Sequence, residues 1–215
     1  MGVSDAAGTK CLKKSHLKAV DGRRLRSERC KQSILEACQH LMSEGCLVPT
    51  AQMISDKAGV PIRTFFRHYP DMETLFRAVD EALQPEYERL FRETKSEGTL
   101  PERIACAVEL HAQSWEQNRA VIKSTKAQLW RYQVLRDNYS RVNRFLKKDL
   151  DKRLPELQKV DSDTRETIDA LASIEMWERL RDHQKLSRTK SIRIITQSLE
   201  LILRTRINTN PTFNR

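Results

Sequence analysis

The chain has 215 residues, of which 39% are hydrophobic and 32% charged, and its net charge is +10. That much apolar material builds a core and excludes a chain disordered throughout, and no apolar run reaches membrane-spanning length. Residues 1–70 carry 12 Lys and Arg against 6 Asp and Glu, while residues 71–215 carry 27 against 23, a concentration that suits a polyanionic partner, nucleic acid first, and by composition alone a solvated basic surface equally well.

Only 6 glycines and 7 prolines interrupt long stretches that mix charged and apolar residues, so the expected elements are helices. Strand-like alternation and internal repeats are absent from the sequence. Residues 1–26 read as a flexible basic tail with Lys10, Lys13, Lys14, Lys18, Arg23, Arg24 and Arg26. Ser27 is the expected N-cap of a helix whose Ile34, Cys38 and Leu41 share one face, and Gly45 closes it as a left-handed cap. Thr50 caps a short second helix with Met53, Ile54 and Ala58 facing inward, and Gly59 stops it. Val60 and Pro61 open a third; Pro70 and Asp71 end it and start a fourth, carrying Leu75, Val79 and Leu83. Pro85 predicts a kink or break near 84–86, with helix resuming through Tyr87, Leu90 and Phe91.

Thr99 and Glu102 form a capping box ahead of a helix with the stripe Ile104, Val108, His111 and Trp115. A short helix from Asn118 to near Lys123 precedes a long one with Leu135, Tyr139, Val142, Phe145 and Leu150 inward, ending near Pro155. Asp163 and Glu166 are the expected cap of the next helix, which carries Ile168, Leu171, Ala172, Met176 and Leu180. The last runs from near Ser187 to near Arg206, and residues after Asn208 read as frayed.

The stretch from Gly59 to Phe76, GVPIRTFFRHYPDMETLF, places Arg and His between aromatics. Side chains four apart share one side of a helix. Phe65 and Tyr69 therefore anchor the third helix on Ile54, Ala58 and Val60, while Arg63 and Arg67 project from another side bordered by Ile62 and Phe66. Two short helices at a tight bend, the second with paired outward cations, suit a helix-turn-helix entering the DNA major groove. An arginine there grips guanine O6 and N7 with two hydrogen bonds, and Thr50, beside free backbone N–H groups, suits a phosphate.

Residues 29–76 resemble the DNA-binding domain of TetR-type transcriptional regulators, through Ile34, Ala37, Leu41, Gly45, Thr50, Ile54, Ala58, Gly59, Val60, Thr64, Phe65, His68, Tyr69, Glu73 and Leu75 at the expected spacings. The resemblance implies an all-α subunit with a three-helix helix-turn-helix DNA-binding domain, here 27–72, after the basic tail 1–26. A larger helical domain, here 73–208, then binds a small-molecule effector and forms a homodimer through the last two long helices. Effector binding is implied to shift the spacing of the two reading helices, often through the fourth helix, and to release a palindromic double-stranded operator. Thr50, Arg63, Thr64, Phe66, Arg67, His68 and Tyr69 are the expected DNA-binding residues. The chain departs from the family's pattern at Phe66, often tyrosine, at Met72, often lysine, and at Pro61, often serine or threonine, which removes two phosphate contacts and a side-chain cap.

His111, Trp115, Gln128, Trp130, Asn138 and Trp177 are polar or aromatic groups on the helices expected to surround the effector, and core packing accounts for each of them equally well. Cys30, Cys38 and Cys46 lie eight residues apart, about 12 Å along a helix and too far for a disulfide between neighbours, so buried free thiols are expected. No CxxC or HExxH spacing occurs and no apolar leader opens the chain, so no metal, no cofactor, no membrane and a reducing cytoplasmic setting are expected. The final helix is broadly apolar, with Ile192, Ile195, Leu199 and Ile202 on one stripe and Ile194, Leu201 and Leu203 widening it, as an isologous interface requires; the alternative is a central helix buried on several sides within one subunit. The expected function is that of a ligand-responsive transcriptional regulator, a repressor. The rivals are an all-α enzyme, for which no catalytic set stands out, and an architectural DNA-binding protein without an effector.

Overall fold

The computed structural model describes residues 8–92 and 97–209. Among them every regular element is helical: α1 (Gly8–Ser43), α2 (Ala51–Ala58), α3 (Ile62–His68), α4 (Met72–Arg92), α5 (Leu100–Gln117), α6 (Arg119–Gln128), α7 (Gln133–Arg153), a 3-10 turn (Pro155–Lys159), α8 (Ser162–Leu171), α9 (Ile174–Glu178), a π-helical turn (Arg179–His183) and α10 (Arg188–Thr209).

Two bends of the same kind shape the N-terminal part. Gly45 takes φ 91°, and its N–H donates to the Met42 carbonyl at 3.0 Å while the Cys46 N–H donates to that of Leu41 at 2.9 Å. Gly59 repeats this at φ 66°, with its own N–H on Asp56 at 3.2 Å and the Val60 N–H on Ser55 at 3.0 Å. A left-handed residue that re-satisfies the last carbonyls is a tight helix stop. The Thr50 hydroxyl oxygen accepts from the Met53 N–H at 3.2 Å and starts α2, and the Glu102 carboxylate accepts from the Thr99 N–H at 2.8 Å at the start of α5.

Four elements depart from the sequence reading. α1 does not begin at Ser27; helix already runs from Gly8, because residues 8–26 hold no proline and are rich in Lys, Arg and Leu, all good helix formers. Residues 1–7 of the expected tail lie outside the described residues. α4 passes through Pro85 without a break; the proline removes one backbone donor, while apolar side chains on both sides of it are packed into cores. α6 continues to Gln128. The helix expected across 163–180 is divided: Asp161, not Asp163, caps α8 by accepting from the Thr164 N–H at 2.9 Å. Ser173 then donates to the Ala170 carbonyl at 2.7 Å and accepts from the Met176 N–H at 3.2 Å, ending one helix and starting another. Residues beyond Thr209, where fraying was expected, lie outside the described residues.

Two cores result. Ile34, Cys38, Ile54, Phe65, Tyr69 and Leu75 form the head core, which Phe76 and Val79 of α4 and Val134 and Leu135 of α7 complete, across the division expected at 72/73. The second holds Phe91, Ile104, Trp115, Leu150, Trp177 and Leu199. α4 contributes to both. Phe65 has no exposed surface, and Phe65→Ala is expected to cost about 3–5 kcal/mol, read as a fall in the urea midpoint of a tryptophan-independent helical signal.

Candidate nucleic-acid interface and internal cavity

α3 is short, and packing decides its orientation. Phe65 and Tyr69 are 0% and 1% exposed, with ring centroids 6.2 Å apart, and Phe66 meets Phe65 edge-on at 5.1 Å. The Tyr69 hydroxyl donates to the Lys31 carbonyl at 3.4 Å. Tyr69 is thus a brace between α3 and α1, and its expected place among the DNA contacts is corrected: the periodicity that buries Phe65 buries it too. Arg63, Phe66 and Arg67 are exposed, and Thr64 and His68 half-buried. Neither Arg63 nor Arg67 has an ion-pair partner among the described residues. By contrast Lys57 of α2 is paired with Glu44 at 2.9 Å, and His40 meets the same carboxylate at 3.2 Å. Burial, and then the Arg67 cation, push His68 below its ordinary pKa, which leaves the imidazole neutral beside the arginines.

Thr50 is exposed at the start of α2, and Met53 is 40% exposed rather than inward-facing as the sequence suggested. With Phe66, Met53 adds apolar surface beside the arginines. Arg23, Arg24, Arg26 and Arg29 of α1 are all exposed, so the cationic surface extends onto α1.

A cavity of about 540 Å³ lies among α4, α5, α6 and α7, walled by Phe76, Leu83, Tyr87, Trp115, Tyr139 and Val142 among others. Asp80 and Arg141 are the charged residues that line it. Of the six expected ligand contacts, Trp115 and Asn138 line this cavity, and His111 lines a neighbouring, more open cleft of about 580 Å³. Gln128 and Trp177 are buried outside both linings, and Trp130 is 80% exposed between α6 and α7. An inward stripe shows which side of a helix is buried but not which helices converge around space. His111 belongs to a buried network: its Nε2 lies 3.2 Å from Asp149, which accepts from Arg153 at 2.7 Å, while Arg153 also donates to the Phe91 carbonyl at 3.1 Å. Burial pushes the Asp149 carboxyl up, but the hydrogen bonds from His111 and Arg153 outweigh it and hold the group below its usual value. Sequence reading missed Asp80 and Arg141; their signal, opposite charges on two apolar-striped helices, is no different from that of surface pairs.

Several contacts join the head to the cavity walls. The Glu73 carboxylate accepts from the Gln133 N–H at 2.8 Å, Phe76 meets Tyr132 edge-on at 5.2 Å, and the Ser124 hydroxyl donates to the Leu47 carbonyl at 3.1 Å. Cys30, Cys38, Cys46 and Cys106 form no disulfide among the described residues, and only Cys38 of the four is buried; burial first and Cys46 second push its thiol up to about 12. Among the described residues no helix is long and apolar enough to cross a membrane.

No family model and no curated protein matches the chain. Among solved structures, a Clostridium perfringens protein described as a "putative fatty acid metabolism regulator" matches with a TM-score of 0.51 and 19% identity, over 78% of this chain and 96% of that one. The shared architecture is an all-α chain in which a helix-turn-helix head precedes a larger helical domain. At that identity the likeness concerns the fold.

Proposed function

We propose that the chain is a ligand-responsive transcriptional regulator, a repressor that binds a palindromic operator in the cytoplasm as a homodimer and leaves it when a small-molecule effector binds. The observation that carries this reading is the pair Arg63 and Arg67: exposed, unpaired among the described residues, and projecting from a helix fixed by buried Phe65 and Tyr69 next to the Gly59 bend. Unpaired guanidinium groups on a rigid short helix suit base edges in the major groove. Thr50, Thr64, Phe66 and His68 surround them as contacts to phosphate, sugar or thymine methyl groups, and the exposed arginines of α1 add attraction to phosphates. The shared architecture, and the regulatory role stated for the Clostridium perfringens protein, support the same reading.

Effector and operator act by favouring different separations of two heads. The cavity among α4, α5, α6 and α7 is the effector site in this reading, with α4 carrying the displacement to the head. α10 supplies the dimer face: Leu201 is 68% exposed and Ile194 half-buried. The element before α10 is a set of short segments rather than one long helix, so α8 is its partner in the interface.

Three outcomes test the proposal. Arg63→Ala with Arg67→Ala is expected to weaken binding to a selected palindromic DNA by about a hundredfold or more, since each bidentate contact is worth about 1–3 kcal/mol, with the dimer intact; retained affinity in a gel-shift titration argues against the assignment. Replacing Arg23, Arg24 and Arg26 with Gln is expected to flatten the salt dependence of binding by about 0.9 in slope for each phosphate no longer neutralised, and an unchanged slope removes α1 from the interface. Leu201→Glu is expected to yield monomers in sedimentation and to weaken operator binding; a dimer that persists places the interface elsewhere.

A further inference from the structure

We propose that the cavity recognises an amphipathic anion, with its apolar body among Phe76, Leu83, Trp115 and Val142 and its carboxylate or sulfonate head on the guanidinium of Arg141. The proposal rests on the effector reading above for its regulatory meaning and on the cavity for its chemistry.

Arg141 is the cation among the lining residues, and it is only partly engaged. A single nitrogen, Nη2, donates to both carboxylate oxygens of Asp80, at 2.6 and 2.5 Å. Nε and Nη1 have no partner among the described residues. Other arginines in the fold use their forks more fully. Arg103 donates through Nε, Nη1 and Nη2 to Gly98, Arg153 and Glu156, and Arg136 through all three nitrogens to Gln133 and Leu129. A guanidinium presents five N–H groups in a planar fork that matches a carboxylate or sulfonate, and that of Arg141 has its idle edge on an otherwise apolar and neutral wall.

The complementary choice, a cationic ligand on Asp80, is less well served, because both Asp80 oxygens already accept from Arg141. The side chain of Arg141 is 39% exposed and that of Asp80 26%, which puts the pair at the mouth and the aromatic wall deeper, the order an amphipathic molecule needs. Burial pushes the Asp80 carboxyl up despite the opposing Arg141 charge. Asp80 stands on α4 and Arg141 on α7. A head group that takes the guanidinium therefore acts directly on the contact between α4 and α7.

The test is a fluorescence titration of the full chain with two probes of one shape, 1-anilinonaphthalene-8-sulfonate and its uncharged parent N-phenyl-1-naphthylamine. Arg141→Gln is expected to weaken the sulfonate by about tenfold or more, as losing a charged hydrogen-bond partner does, and to leave the neutral probe within about twofold. Asp80→Asn, which frees the guanidinium, is expected to tighten the sulfonate. If Arg141→Gln loses the neutral probe as well, the Asp80→Asn/Arg141→Gln pair, with no unpaired charge, is read in its place. An unchanged ratio of the two affinities, or a sulfonate weakened equally by Asp80→Asn, overturns the proposal. Operator binding measured alongside separates it from the reading it rests on. Sulfonate binding that depends on Arg141 but leaves DNA binding untouched supports the anion site and overturns the effector role. DNA binding released by the neutral probe, with an unchanged ratio, overturns the anion site alone.

Discussion

Burial of the Phe65 ring sets where every cation on α3 points. A helix of seven residues does not hold its shape in water alone, and Pro61 gives this one no side-chain cap. Its geometry comes from outside: Phe65 and Tyr69 packed among Ile34, Ile54 and Leu75, and the Gly59 stop that fixes its angle to α2. A rotation of one residue turns a helix by about 100°, enough to carry Arg63 and Arg67 off the exposed side. The cations are useful because the aromatics leave them no choice of direction. Among the described residues they have no acidic partner, while Lys57 is paired with Glu44, which leaves their charge available to a polyanion.

The same packing continues along α4. Its first turns put Leu75, Phe76 and Val79 into the head core, and its last turns put Tyr87, Leu90 and Phe91 against the second. Between them Asp80, Leu83 and Gln84 face the cavity. A molecule in that cavity thus touches α4 and α7, two helices that place buried residues in both cores. α4 runs unbroken past Pro85, so one continuous element links the head core to the second core. A two-state element biased from both sites is what coupling requires.

Local chemistry made much of this legible in advance. Gly45, Gly59, Thr50 and the Thr99–Glu102 pair mark helix ends because each solves a hydrogen-bonding problem within a few residues. The aromatic and cationic sides of α3 follow from period alone. What escaped the sequence depends on distance or on competition. Ser173 splits a periodic apolar stripe by offering its hydroxyl to the backbone, an option any mid-helix serine has and few take. The helix before Ser27 has no apolar stripe to announce it. Met53 reads as inward-facing in the sequence yet emerges at the surface, because the side of α2 that meets the head core is taken by Ala51, Ile54, Ser55 and Ala58. The cavity was least legible: Trp115 and Asn138 line it, while Trp130, with the same composition cue, stands in solvent. Convergence of four helices is a property of their crossing, not of any one of them.

Magnitudes decide how the charged pair and the wall divide the work of a switch. Moving a population from 1:99 to 99:1 takes a differential affinity of about 5.5 kcal/mol. The Asp80–Arg141 pair is partly solvated, with 39% of the Arg141 side chain and 26% of the Asp80 side chain exposed, and a pair of that kind is worth no more than about 1 kcal/mol. Breaking it therefore cannot drive the transition. The remaining ~4.5 kcal/mol corresponds to about 180 Å² of apolar surface buried in one state and not in the other, at about 25 cal/mol per Å². A cavity of about 540 Å³ with aromatic walls on α4, α5 and α7 has room for a body of that size. In the proposed reading the charged mouth selects which molecules enter, and a difference in apolar contact between two positions of α4 would set how far the equilibrium moves.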